Sequence, residues 1–204
     1  MQYEINPDNI DDRKIDAVVN VLKHDGVIIL PTDTIYAFAC SIYSEKAIEK
    51  ICRFKQVKVE KANLSFLFNN LKNISEFTKP FDRSTYKLLN RSLPGPFTFI
   101  LEASSKVPAI FRSRKKTIGI RIPDHPVALQ IIEKTGHPLI AASLHDSDDP
   151  ITDYLTDPSE IFEKFETITD AFVDCGAGGN KPSTVVDLTG SEIVVVREGK
   201  GILS

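Results

Sequence analysis

"VIILPTDTIYAF" (residues 27–38) runs four apolar residues straight into a proline and then into Thr32, Asp33 and Thr34. A short, unbroken apolar run of this kind suits a strand buried on both faces. Pro31 stops its pairing, because proline offers no N–H to a ladder. The hydroxyls and the carboxylate therefore collect at a strand end, where open α/β sheets commonly hold ligands. The plainer reading is a turn tied by Asp and Thr side-chain bonds to backbone, and spacing alone favours it.

Outward from this strand, helices and strands alternate. On the N-terminal side, Ile15, Val18, Val19 and Leu22 form the i, i+3, i+4, i+7 stripe of a helix, with Asp11 or Asp12 to cap it and Gly26 to end it. On the C-terminal side a second helix starts at Ser44, with Ala47, Ile48, Ile51 and Cys52 on one face. Strands follow at 64–68, 97–101, 117–122 and 138–143, with helices at 84–92 and 126–136 between them. Pro126 suits the first turn of its helix and Gly136 its end. A helix near 158–166 and strands near 170–174, 184–188 and 193–197 complete the chain. The pattern predicts a single α/β (α+β) domain over 1–204, a twisted, mixed, open β-sheet flanked by helices.

The composition agrees. A chain of 204 residues, 42% hydrophobic, can bury one substantial core. A formal charge of −3 gives no global push toward nucleic acid or membrane, so any basic face must be local. Cys40, Cys52 and Cys175 are scattered and odd in number, which suits reduced thiols and neither a disulfide framework nor a zinc site. The polar, acidic start and the lack of a long apolar run predict a soluble, cytoplasmic protein that does not contact membranes.

Several constellations carry candidate chemistry. "CRFKQVKVEK" (52–61) holds Arg53, Lys55, Lys58 and Lys61 against Glu60 alone, either a phosphate clamp or a solvated charged edge. "CGAGGNKPST" (175–184) is glycine-rich and can present N–H groups to an anion, although Pro182 breaks the order of a Walker loop. Arg121 and Arg197 end strands and suit carboxylate or phosphate; a lone strand-end arginine is more often a surface ion pair. His145 lies in an acidic stretch with Asp146, Asp148, Asp149 and Asp153, which fails the calcium-loop pattern and reads as a solvated loop. No metal site is predicted. Nor does any Ser–His arrangement mark a hydrolase.

In order, "GVIILPTDTIYAFAC", "AIEKICRFKQ", "LPGPFTFIL", "KTIGIRIPDHP", "PLIAAS", "PSTVVDLT" and "VVVREG" resemble the YrdC-like family, closest to its YciO branch. The resemblance implies a twisted open sheet with a concave, positively charged face. The family's synthases take ATP, L-threonine and bicarbonate with Mg²⁺ and form threonylcarbamoyl-AMP, used in tRNA modification. Members are also linked to double-stranded RNA.

Carried over by motif, Thr34 and Tyr36 fall beside the substrate, and Arg121 meets an amino-acid carboxylate. Ser143, Ser183 and Thr184 match further substrate-side positions. Lys55 matches the lysine of a K-x-R phosphate clamp, and Arg197 matches a late phosphate arginine. The departures fall at the chemistry: Val57 replaces the clamp arginine and His145 replaces an asparagine. Ala141 and Ala142 replace a serine and a threonine, Ala37 and Ala39 replace glycines, and Glu198 replaces a proline. Lys58 or Lys61, with His145, are the available substitutes.

The resemblance thus implies a nucleotide- and double-stranded-RNA-binding protein with weak or altered synthase activity. ATP or a related nucleotide is its ligand, Mg²⁺ is needed if it is active, and structured RNA (tRNA or rRNA) is a partner. The alternative is an active L-threonylcarbamoyladenylate synthase with a rearranged clamp. The oligomeric state is left open.

Overall fold

Four of the helices start where the sequence supplies a side-chain acceptor for their unpaired N–H groups. In the computed structural model, which describes residues 1–111, 116–144 and 154–203, Asp11 accepts from the Arg13 N–H and opens α1 (Asp12–Lys23). Ser44 accepts from the Ala47 N–H and opens α2 (Glu45–Phe54). A short α3 (Ile74–Phe77) precedes α4 (Arg83–Ser92), which is capped by Asp82 and ends at a cis Leu93–Pro94 bond. α5 (Pro126–Thr135) stops at Gly136, whose φ of 81° is left-handed and suits glycine. α6 (Pro158–Phe165) is capped by Asp157. α1 departs from expectation at its end: His24 caps it and Asp25, not Gly26, takes the left-handed turn.

The strands are β1 (Gln2–Glu4), β2 (Ile28–Leu30), β3 (Ala37–Ser41), β4 (Ser65–Leu67), β5 (Phe97–Glu102), β6 (Thr117–Arg121), β7 (Leu139–Ser143), β8 (Ala171–Asp174), β9 (Thr184–Asp187) and β10 (Val194–Arg197). All ten join one open sheet in the order β1-β8-β2-β3-β7-β4-β6-β5-β9-β10. It is mixed: β1–β8, β2–β8, β4–β6 and β5–β9 pair parallel, the other neighbours antiparallel. The expected fold class holds. β1 and β3 are additions to the sequence reading. β3 is buried at every position and so shows no alternation, and β1 has only three residues.

Alternation across the sheet separates two cores. Phe38, Cys40, Phe66, Phe99, Ile120 and Ile140 face α2, α4 and α6. Ala37, Ala39, Leu67, Leu139 and Ala141 face the other way, toward α1 and α5, whose Ile15, Val18, Val19, Leu22, Val127, Ala128, Ile131 and Ile132 are buried there. Full burial of each Val, Leu, Ile or Phe side chain among these contributes about 1.5–3 kcal/mol. The second core ends at Leu67 and Ala141, so α1 and α5 leave the β6-β5-β9-β10 half of their face uncovered. No described helix is long and apolar enough to cross a membrane.

Candidate nucleotide site on the uncovered sheet face

That uncovered face is the floor of a cavity of about 550 Å³, within the range of small-molecule sites. Strand periodicity builds the floor: Ser65 and Leu67, Thr98 and Ile100, Thr117, Gly119 and Arg121, and Ala141 and Ser143 all line it. Gly119 lies opposite both Ser65 and Ile100 in the ladders, and its missing side chain leaves room at the centre. The segment from Lys55 to Leu64 forms one wall, and Pro182, Ser183, Val196 and Arg197 form another.

The charges converge on these walls. Lys55 follows the last turn of α2 and is buried; its Nζ donates to the Ser143 carbonyl at 3.1 Å. Lys61 closes a 3-10 turn (Val59–Lys61) and lines the cavity. Arg197 ends β10, and its Nη2 donates to the Ser183 carbonyl at 2.8 Å. Ser183 Oγ lies 2.9 Å from Thr98 Oγ1. Glu60 is the acidic residue on the wall among the described residues.

Arg121 is bound from within. Its Nη2 donates to Asp33 Oδ1 at 2.5 Å, to Thr34 Oγ1 at 2.8 Å and to Thr32 Oγ1 at 3.2 Å. The side chains of this ion pair are 8% and 9% exposed. The expected surface pair is therefore a buried one, and a large part of the guanidinium's charge is met before any ligand arrives. Burial lowers the Arg121 pKa and Asp33 opposes that, with Arg197 adding a smaller lowering; a guanidinium stays charged regardless. Asp33 Oδ2, Arg121 Nε and the nearby His125 Nδ1 are buried without hydrogen-bond partners.

The turn at 31–36 combines both sequence readings. Thr32 Oγ1 donates to the Ile35 carbonyl and accepts from the Thr34 N–H, which is the local turn chemistry. Its Asp and Thr side chains also reach across the sheet to Arg121.

Of the residues singled out by sequence, Lys55, Lys61, Arg121, Ser143, Ser183 and Arg197 meet around this cavity. Thr34, Tyr36 and Thr184 do not line it; they are buried ties. The Tyr36 hydroxyl donates to the Gly176 carbonyl at 2.8 Å and accepts from the Cys175 N–H at 3.0 Å, and burial pushes its pKa up. Thr184 Oγ1 donates to the Gly201 carbonyl and accepts from the Gly199 N–H. Lys58 is exposed outside the lining, whereas Lys61, also exposed, borders the cavity. His145 and the aspartates beside it lie outside the described residues.

In the glycine-rich loop the N–H groups of Cys175, Gly176 and Gly178 are taken by Tyr36 Oη, Asp174 Oδ1 and the Thr156 carbonyl, so these three are not open to an anion. The loop is glycine-rich for closeness, since a Cβ at Gly179 would fall 1.8 Å from the Thr34 carbonyl oxygen. Thr32, singled out at the strand end under the turn reading, lines the cavity, and sequence reading missed Thr98 and Tyr154. The strand alternation of Thr98 with Ile100 signalled the first of these.

Among the described residues no three His, Cys, Asp or Glu side chains group to hold a metal. With Asp33 held by Arg121, the described lining residues offer one carboxylate, Glu60, a donor set that would suit Mg²⁺ carried in on phosphates.

The fold is an open, mixed α/β sheet with a cationic cavity on its uncovered face. The chain belongs to the Sua5/YciO/YrdC family, described as "Telomere recombination", which it matches over residues 20–199. YciO of Escherichia coli K12 is 36% identical over 200 residues, covering 98% of this chain and 95% of that protein. The crystal structure of E. coli YciO superposes with a TM-score of 0.91 at 35% identity, over 99% and 97% of the two chains. A threonylcarbamoyl-AMP synthase of Coxiella burnetii is 27% identical over 138 residues, 68% of this chain and 74% of that one. Sua5 of P. abyssi, solved in complex with L-threonine, has a TM-score of 0.88 at 25% identity, over 98% of this chain and 57% of that one.

Proposed function

We propose that this chain binds ATP or a related adenylate in the cavity and structured RNA on the adjoining basic rim, with threonylcarbamoyl-AMP synthesis weak or altered. The observation that carries this reading is the gathering of Lys55, Lys61, Arg121 and Arg197 on one 550 Å³ cavity in which Val57, not an arginine, occupies the clamp position. Adenylyl transfer depends on positive charge placed against developing negative charge. Val57 offers none. Arg121 is additionally drawn off by Asp33, so a ligand carboxylate must share it.

Apolar lining from Ile100, Ile118 and Phe111 suits a base or another flat apolar group. The RNA arm of the proposal draws on exposed Arg53 and Lys58 beside the cavity wall and on the kinship with threonylcarbamoyl-AMP synthases. Action in the cytoplasm belongs to the same proposal.

One observation favours the active-synthase alternative: Lys61 lines the cavity and supplies a point charge near the place of the missing guanidinium. It lacks the planar fork.

The test is pyrophosphate release from ATP, with L-threonine, bicarbonate and Mg²⁺ omitted one at a time, beside calorimetric ATP binding. ATP binding with slow or absent threonine-dependent release supports the proposal. Rapid release that requires every component establishes the alternative. Failure of both ATP and structured RNA to bind at moderate salt overturns both.

A further inference from the structure

α4 (Arg83–Ser92) buries Leu88 and Leu89 in the core on the α2 side of the sheet, away from the cavity floor. Arg83, Tyr86, Lys87, Asn90 and Arg91 are exposed. Positions three and four apart are neighbours on a helix surface, so these five form one continuous stripe about 12 Å long.

The stripe's charge is of one sign. From Arg83 to Leu101 there are three cations and no Asp or Glu, in a chain of net charge −3. The other described helices of eight residues or more, α1, α2, α5 and α6, each mix both signs. Arg83, Lys87 and Arg91 are spaced i, i+4, i+8, where like charges repel. Arg83 also stands in the first turn, against the helix dipole. Asp82, the nearest carboxylate in sequence, is committed to the cap, accepting from the Ser84 hydroxyl and the Thr85 N–H. Among the described residues none of the five side chains of the stripe is in a hydrogen bond or an ion pair. Their charge works against the helix, so the stability of the fold does not account for it.

The chemistry of the stripe selects what covers it. Arg, Lys, Tyr and Asn are side chains that hold the phosphate and sugar oxygens of nucleic acids, and a row of cations matches a repeating anion. The Tyr86 hydroxyl and the Asn90 amide can each donate and accept. So can a ribose 2′-hydroxyl, the group by which proteins tell RNA from DNA. An anionic membrane fits poorly, because the leucines of α4 are in the core and leave no apolar face to enter lipid. We propose that the outer face of α4 docks the sugar–phosphate backbone of structured RNA. This surface is separate from the cavity and from Arg53 and Lys58, and it rests on the RNA part of the proposed function, not on the nucleotide part.

Fluorescence anisotropy of a labelled RNA hairpin, titrated with the protein at several salt concentrations, tests this. The triple variant Arg83→Gln, Lys87→Gln, Arg91→Gln should weaken binding about tenfold or more and make the slope of log affinity against log salt shallower by about 2–3, the share of three phosphates. Tyr86→Phe with Asn90→Ala should weaken the RNA hairpin more than the DNA hairpin of the same sequence. ATP affinity should not change in either variant. The substituted side chains are exposed, so both variants should fold, and the triple variant should melt at or above the parent's temperature because repulsion within α4 is relieved. RNA binding that the triple variant leaves intact in affinity and slope overturns the inference, while the reading of Arg53 and Lys58 as the RNA rim stands. No RNA binding by the parent protein overturns both. An equal, α4-dependent affinity for the DNA hairpin, for polyglutamate or for phosphatidylserine vesicles also overturns it.

Discussion

Asp33 and Arg121, 88 residues apart in the chain, form a buried ion pair that joins the turn between β2 and β3 to the end of β6. Taking two charges out of water is costly, and removing one partner leaves the other uncompensated. Asp33→Ala is therefore expected to lower unfolding stability by about 3–5 kcal/mol, read from urea denaturation. The double variant Asp33→Leu, Arg121→Met should recover most of that loss. A single variant as stable as the parent would show that water already solvates the pair.

Lys55 is the buried cation on the cavity wall. Lys55→Ala should weaken ATP binding about tenfold or more, the scale of one charge-assisted hydrogen bond. Lys58→Ala, on the exposed side, should change it no more than about two-fold. Calorimetric titration of the two variants separates a specific clamp from a diffuse basic surface.

Val57 lines the cavity, at the position that the proposed reading assigns to a second clamp cation. Val57→Arg should raise threonine-dependent pyrophosphate release by at least about tenfold, below the 10²–10³ that an optimally placed donor supplies. No gain, with ATP affinity unchanged, would place the limitation elsewhere.

Gly119 leaves the floor of the cavity open; a Cβ there would lie 3.3 Å from Thr98 Cγ2 and 3.6 Å from Ser65 Oγ. Gly119→Val should abolish ligand binding, since the branched side chain enters the cavity, while costing about 1–3 kcal/mol of stability from overpacking. Parallel binding and thermal-melt measurements give the two effects separately.

His125 is half-buried, and burial lowers its pKa below the ordinary 6.5, against the opposing pull of Asp33 and Asp124. The folded state thus binds a proton less readily than the unfolded chain. Its contribution to stability is fully present above about pH 6.5 and is lost as pH falls toward the depressed folded value. Stability should fall on acidification through this window, and His125→Phe should flatten that part of the profile. Thermal melts between pH 7.5 and 5, values on the order of the window set by that shift, provide the comparison.

Local chemistry settled much of this protein before any folding. The 3.6-residue stripe of Ile15, Val18, Val19 and Leu22 placed a helix, and the caps at Asp11 and Ser44 placed its start and the start of the next. The two-residue period of "FTFIL" and "TIGIRI" placed strands. These signals need only neighbours in sequence. The ordered motifs carried the family in the same way.

Tertiary structure decided the use of each side chain. Pairing of β6 near the turn after β2 turned Arg121 from an open anion ligand into the partner of Asp33, and it made Thr34 an internal bond. Tyr36 was drawn to the 175–178 loop, some 140 residues away. The end of the α1–α5 layer, which no local pattern encodes, determined which half of the sheet became a cavity. Burial and charge partnership are long-range properties, set by which strands lie side by side, so residue type and spacing nominate a site whose members only the assembled sheet selects.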